Sequence, residues 1–158
     1  MIEKTIIAVY GRQNEGKTST IIRTYQKLIS DFVNRTIIEE IISNEIFAVI
    51  EIGNIKIGFE STGDPKSRII TENTLEKLSA NIDSNHFDLR ISDCNIIICA
   101  SRTSGGTVNE IDRIASTFGY RTIWKSSYYA PNFNHDVVNR IASEEIVNLI
   151  KSIITTEL

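Results

Sequence analysis

Apolar positions along the chain fall into blocks with two different spacings. Ile6-Ile7-Ala8-Val9 is a short continuous run, the pattern of a strand buried on both faces, and Ile21, Ile22, Tyr25, Leu28 and Ile29 follow at helical spacing. Residues 31–44 have no clear period and read either as an extension of that helix or as a loop with a short helical turn. Two β-rich runs, 46–52 and 55–60, are separated by Gly53-Asn54, a two-residue hairpin signal. Such a turn pairs 52 with 55, 51 with 56, 50 with 57 and 48 with 59. Ile then faces Ile twice, Ala48 faces Phe59, and Glu51 faces Lys56 on the other side of the sheet.

The second half repeats the alternation of strand and helix. A helix opening at Asn73-Thr74-Leu75-Glu76 buries Leu75, Leu78 and Ile82. Residues 95–100, a continuous apolar run after Asn95, are expected as a central parallel strand. Thr107-x-x-Glu110 has the spacing of a capping box for a helix with Val108, Ile111, Ile114, Ala115 and Phe118 inward and Gly119 as its stop. Arg121–Lys125 is the last strand, 126–133 a loop, and a final helix from Asn134 carries Val138, Ala142, Ile146, Leu149 and Ile153 along one face.

Composition adds little beyond class. The 158 residues are 41% hydrophobic and 23% charged, ordinary for one soluble domain spanning 1–158. A net charge of -3 gives no electrostatic case for nucleic acid or anionic membrane. No apolar run approaches the ~18 residues of a spanning helix, and Met1-Ile2-Glu3-Lys4 leads directly into a strand, so a cytoplasmic protein is expected. Cys94 and Cys99 do not form a Cys-x-x-Cys pair and are expected to be reduced and buried. Asp83 to Asp88 lacks the glycine and glutamate of a calcium loop, and His86 and His135 stand outside any metal-binding spacing.

The candidate chemistry lies between the first strand and the first helix, in Gly11-Arg12-Gln13-Asn14-Glu15-Gly16-Lys17-Thr18. Backbone N–H groups converging at a helix N-terminus hold phosphate well, because unsatisfied donors and the helix dipole both favour negative charge. Gly11 and Gly16 let the backbone curl around an anion, Lys17 reaches the β- and γ-phosphates, and the Thr18 hydroxyl is a Mg²⁺ ligand. The segment resembles the Walker A motif of P-loop NTPases, with Gly11 to Ser19 as the nucleotide-binding stretch. It is also similar to the Gly-Arg-Pro-Asn-Val-Gly-Lys-Ser/Thr loop of translation-factor-class GTPases, departing at Gln13 and Glu15.

That resemblance implies a three-layer α/β P-loop NTPase fold. Its mixed sheet would have five strands in the order 2-3-1-4-5, with strand 2 antiparallel and helices on both faces. In small GTPases an Asp-x-x-Gly follows the hairpin; here Glu60-x-x-Gly63 has that spacing, making Glu60 a candidate for metal positioning and Gly63 a candidate phosphate donor. Thr36 is the residue of the right kind to close on the metal, and Arg68 and Arg102 are candidates for contacting transferred phosphate charge. The guanine-reading Asn-Lys-x-Asp is missing, with Trp124-Lys125-Ser126-Ser127 in its place and no Ser-Ala-Lys loop, so stacking of a base on Tyr128 or Tyr129 is the substitute considered.

The expected function is that of a slow Mg²⁺-dependent NTPase, using ATP or GTP and acting as a switch on a protein partner. A nucleotide or small-molecule kinase is a second reading, disfavoured by the lack of an arginine-rich lid. A non-catalytic nucleotide-binding interaction module is a third, and nothing in the sequence separates it from the first.

Overall fold

A computed structural model of the chain describes residues 2–12, 16–62, 74–80, 90–156 and 158. Within them the strands are β1 (Thr5–Tyr10), β2 (Arg35–Ile42), β3 (Ile46–Ile52), β4 (Ile55–Glu60), β5 (Ile96–Ser101) and β6 (Arg121–Ser126). The helices are α1 (Lys17–Asp31), α2 (Thr74–Ser79), α3 (Gly106–Phe118) and α4 (His135–Ile154).

The strands form one mixed sheet in the order β2-β3-β4-β5-β1-β6. β4, β5, β1 and β6 run parallel to one another, while β2 and β3 join antiparallel. The hairpin forms in the register read from its turn, with Ile52 opposite Ile55, Glu51 opposite Lys56, Ile50 opposite Ile57 and Ala48 opposite Phe59. The sheet nevertheless departs from the expected five strands in two ways.

The first departure is the neighbour of β1. β4 pairs with β5 through Ile57–Ile96 and Phe59–Ile98, and β5 in turn pairs with β1, so an extra strand separates the hairpin from the first strand. Every residue of β5 is buried, and β1 is buried from Thr5 to Val9. Two strands that are apolar on both faces satisfy burial equally well in either central place, so their pattern does not say which one meets the hairpin.

The second departure is β2, a strand where the sequence has no clear period and suggests helix or loop. Its register against β3 shifts between Ile37 and Glu39. Such an irregularity breaks the two-residue alternation in the middle of the strand. β2 is also an edge strand, and Ile37, Ile41 and Ile42 are exposed, so no buried face imposes a period.

Side chains from alternate positions feed two cores. On one face Ile7, Val9, Ile57, Phe59, Ile96 and Ile98 pack against Ile21, Tyr25 and Leu28 of α1 and Ile146, Ile150 and Ile153 of α4. The rings of Tyr25 and Phe59 meet edge to face at 5.2 Å, a favoured aromatic geometry. On the other face Ile6, Ala8, Ile97 and Cys99 pack against Leu75 and Leu78 of α2 and Ile111, Ile114 and Phe118 of α3. Cys94 and Cys99 are both fully buried.

Helix ends follow local chemistry with one exception. Asn134 caps α4 by accepting from the N–H groups of Asp136 and Val137, and Gly119 ends α3 in the left-handed conformation at φ 77°. The expected capping box at Thr107-x-x-Glu110 does not form. Gly105 occupies the N-cap, and the buried Thr107 hydroxyl instead accepts from the N–H of Arg102 and meets Ser101. Glu110 pairs with Arg113 one turn on. A threonine facing the sheet satisfies the strand end rather than the helix end.

Candidate functional site

Parallel strands followed by helices bring several chain segments to one edge of a sheet, at the carboxyl ends of the strands. Here that edge carries Tyr10-Gly11, Glu60-Ser61, Ser101-Arg102 and Ser126-Ser127. The N–H of Gly11 donates to the Ser101 carbonyl at 3.2 Å and that of Ser127 to the Tyr10 carbonyl at 2.8 Å, so the strand ends are held in line.

The chain leaves β1 at Gly11 and enters α1 from Gly16, which has φ 75° and accepts the first helical bond from Thr20 at 2.9 Å. Among the described residues, no side chain caps this helix start. Lys17, the first residue of α1, donates from Nζ to the Gly11 carbonyl at 2.7 Å and to the Ser101 carbonyl at 3.0 Å. Its charge therefore lies over the ends of β1 and β5. Thr18 donates from Oγ1 to Glu45 Oε2 at 3.1 Å.

Glu45 was not singled out in the sequence. It stands in the turn between β2 and β3, where the Ser43 N–H donates to its carbonyl at 2.9 Å. Because β3 runs antiparallel to β4, it starts where β4 ends, and this turn lies at the edge where the parallel strands end. The buried Ser61 hydroxyl also donates to Glu45 Oε2, and Ser61 Oγ accepts from the Ile46 N–H at 2.8 Å. One carboxylate thus ties the start of α1, the start of β3 and the end of β4. The sequence signal for it would have been an acidic residue just before a hairpin strand, which is legible only once β2 is known to be a strand.

The other candidates separate into two groups. Glu60 is fully buried at the end of β4 and accepts from the Thr62 N–H at 2.8 Å. It sits opposite Cys99 of β5, two strands from β1, a lateral distance of about 10 Å at ordinary strand spacing. Thr36 lies near the start of β2 opposite Glu51, at the other end of the sheet, and so does not join Thr18. Arg102 follows directly on the Ser101 carbonyl that Lys17 holds. Gln13, Asn14, Glu15, Gly63 and Arg68 lie outside the described residues, as do His86 and the Asp83–Asp88 stretch.

Beside the Gly11–Lys17 segment opens a cleft of about 380 Å³, lined by Arg12, Gly16 and Ser19 on one side and Tyr128, Tyr129, His135 and Asn139 on the other. The Arg12 guanidinium lies 5.2 Å from the centre of the Tyr129 ring, within cation–π range. Tyr128 is fastened more firmly. Its hydroxyl donates to Glu145, and Lys125 Nζ lies 5.1 Å from its ring centre and 3.0 Å from the same carboxylate. The hydrogen bond to Glu145 raises the Tyr128 pKa. Partial burial of Glu145 acts to raise its own pKa, but the bonds from Tyr128 and Lys125 prevail and hold it below the usual carboxylate value. Trp124 packs edge-on against Tyr10 with ring centres 6.1 Å apart.

At this edge the N-terminus of α1, the Lys17 ammonium and an aromatic-sided cleft lie side by side. Among the described residues, no helix is long and apolar enough to cross a membrane, and no three His, Cys, Asp or Glu side chains gather as a ready-made metal site. Comparison with protein-family models, with curated proteins and with solved structures gives no match to the chain.

Proposed function

We propose that this chain is a P-loop NTPase-like protein that binds Mg²⁺ with a nucleoside triphosphate, ATP or GTP, hydrolyses it slowly, and acts as a switch on a protein partner. The observation that carries the reading is the Gly11-x-x-x-x-Gly16-Lys17-Thr18 segment joining a central strand to a helix start that no described side chain caps, with the Lys17 ammonium at the strand ends. Phosphate oxygens supply the acceptors that such a helix start lacks.

The neighbouring cleft supports a nucleotide over a simple anion. Its volume suits a base and ribose, and Tyr129 with Arg12 offers a stacking surface of the kind that takes any base. Thr18 and Glu45 present hard oxygen donors, the ligand type Mg²⁺ prefers, so the residues fit the cation; bound there, it would neutralise phosphate charge. Glu60, buried beside Ser61 at the end of β4, is the second carboxylate candidate for holding it.

The test is thermal stabilisation by ATP, GTP and their diphosphates with Mg²⁺, beside a Lys17→Ala variant. A nucleotide-selective rise in Tm in the wild type, lost in the variant, is expected because a ligand of the folded state stabilises it. Turnover with the selected nucleotide then separates a hydrolytic switch from a binding module. No rise with any nucleotide at millimolar concentration overturns the reading.

A further inference from the structure

We infer that the cleft beside the Gly11–Lys17 segment selects adenine over guanine and that the side-chain amide of Asn139 reads the base, an inference that rests on the nucleotide reading above. Asn139 stands in the second turn of α4, a helix whose start is fixed by the Asn134 cap. With His135 one turn before it and Val138 beside it, Asn139 lines the wall of the cleft opposite Ser19. Both polar atoms of its amide, Oδ1 and Nδ2, lie against Gly16. Among the described residues nothing takes up either atom, so a donor and an acceptor stand side by side, half-buried, at the cleft.

Stacking on an aromatic ring holds any base, so selection has to come from hydrogen bonds to the base edge. An amide matches adenine, because its oxygen accepts from the N6 amine while its nitrogen donates to N7 or N1. Guanine is matched less well on either edge. Its N7 and O6 are both acceptors and leave the amide oxygen without a donor, and when N1–H and O6 pair with the amide the N2 amine is left over. That amine calls for a further acceptor. The carboxylate joined to the cleft wall is Glu145, and both its oxygens are engaged, Oε1 by the Tyr128 hydroxyl and Oε2 by Lys125 at 3.0 Å. Arg12 offers donors alone and lies over the Tyr129 ring. A donor left without an acceptor in a desolvated cleft weakens binding by more than the loss of a contact at the surface.

The experiment is calorimetric titration of the wild type, Asn139→Leu and Asn139→Asp with ATP, GTP and ITP in millimolar Mg²⁺. The wild type should bind ATP about 10- to 100-fold more tightly than GTP, with ITP, which lacks the N2 amine, between them. Leucine keeps the size of the side chain, removes both polar atoms and should bring the ratio of ATP to GTP affinity close to one. Aspartate, an acceptor only, should turn the ratio towards GTP. The ratio is the readout because a variant that merely loosens the site weakens all three nucleotides together. A wild type that binds GTP as tightly as ATP, or more tightly, overturns the selection of adenine and leaves nucleotide binding standing. An ATP preference unchanged in both variants overturns the role of Asn139. A wild type that binds none of the three overturns this inference and the nucleotide reading together.

Discussion

A Cβ atom placed on Gly16 would lie 2.4 Å from Oδ1 of Asn139, so the start of α1 and the second turn of α4 are in direct contact across the cleft. Gly16 also has φ 75°, a left-handed conformation that costs a side-chain-bearing residue about 1–2 kcal/mol. Both constraints fall on the same residue. Gly16→Ala is expected to lower stability by about 1–3 kcal/mol by urea denaturation. Adding Asn139→Ala should recover the contact share and leave the backbone share, so full recovery in the double variant would show that φ contributes nothing.

Tyr129 is 70% exposed and faces Arg12, so its ring contributes little to folding and a flat surface to the cleft. Tyr129→Ala should change unfolding free energy by no more than about 0.5 kcal/mol. Nucleotide affinity should fall about 5- to 30-fold, the range for loss of one stacking or cation–π partner. Titration calorimetry on wild type and variant checks both halves, and unchanged affinity would move the base elsewhere.

Gly58 lies in the middle of β4 against the α2 face, where an added Cβ would come within 3.0 Å of Cys94 Sγ and 3.1 Å of Leu78 Cδ1. Gly58→Ala should therefore overpack the core and cost about 1–3 kcal/mol. Combining it with Cys94→Ala makes room on one side and should return part of that loss. A Gly58→Ala protein as stable as wild type in chemical denaturation would mean that this face yields more easily than its burial implies.

Burial raises the Cys94 thiol from 9.0 to about 12, and burial raises Cys99 as well. With folded-state values above unfolded ones, the native chain binds more protons than the unfolded chain once pH passes the unfolded thiol value. Stability is then fully present below about 9 and declines as pH rises towards about 12. Cys94→Ala should flatten this decline relative to wild type in denaturation curves collected across that window. For the same reason both thiols should react with an aromatic disulfide reagent at pH 8 only as fast as the chain opens.

Acid acts through a different contact. Asp31, at the end of α1, is held below its usual value by hydrogen bonds from Lys151 first and Lys27 second, at 2.8 and 3.1 Å. Its stabilisation is present above the unfolded carboxylate value and is lost as pH falls through the lowered folded one. The carboxylate and its partners are solvent-accessible, so Asp31→Asn should cost at most about 1 kcal/mol at neutral pH, and less in high salt. Urea midpoints at neutral and acid pH, with and without salt, measure it.

The parts of this protein legible in its sequence are those written in short-range spacing. The hairpin register follows from Gly53-Asn54 and the pairing of Ile50, Ile52, Ile55 and Ile57, because a two-residue turn leaves one alignment. The inward faces of α1 and α4 follow from a 3.6-residue period, and the strand–loop–helix around Lys17 follows from a local pattern of glycines. Thr107 shows where local spacing misleads: its capping box was outcompeted by Ser101 and Arg102, residues on a strand end that becomes its neighbour only on folding.

Relationships between segments far apart in the chain depend on how the elements pack. Local patterning makes β1 and β5 both buried on two faces, but which of them meets the hairpin depends on how the sheet assembles, and that assembly places Glu60 two strands away from β1. The bulged edge strand β2 hid its period, and with it the turn that delivers Glu45 to Thr18 across 27 positions of chain. Asn139 reaches Gly16 by the same kind of long-range packing of α4 on α1. Periodicity encodes which face of an element is apolar. It carries no label for the partner that covers that face, so the partners of Lys17, Thr18 and Gly16 became visible only in three dimensions.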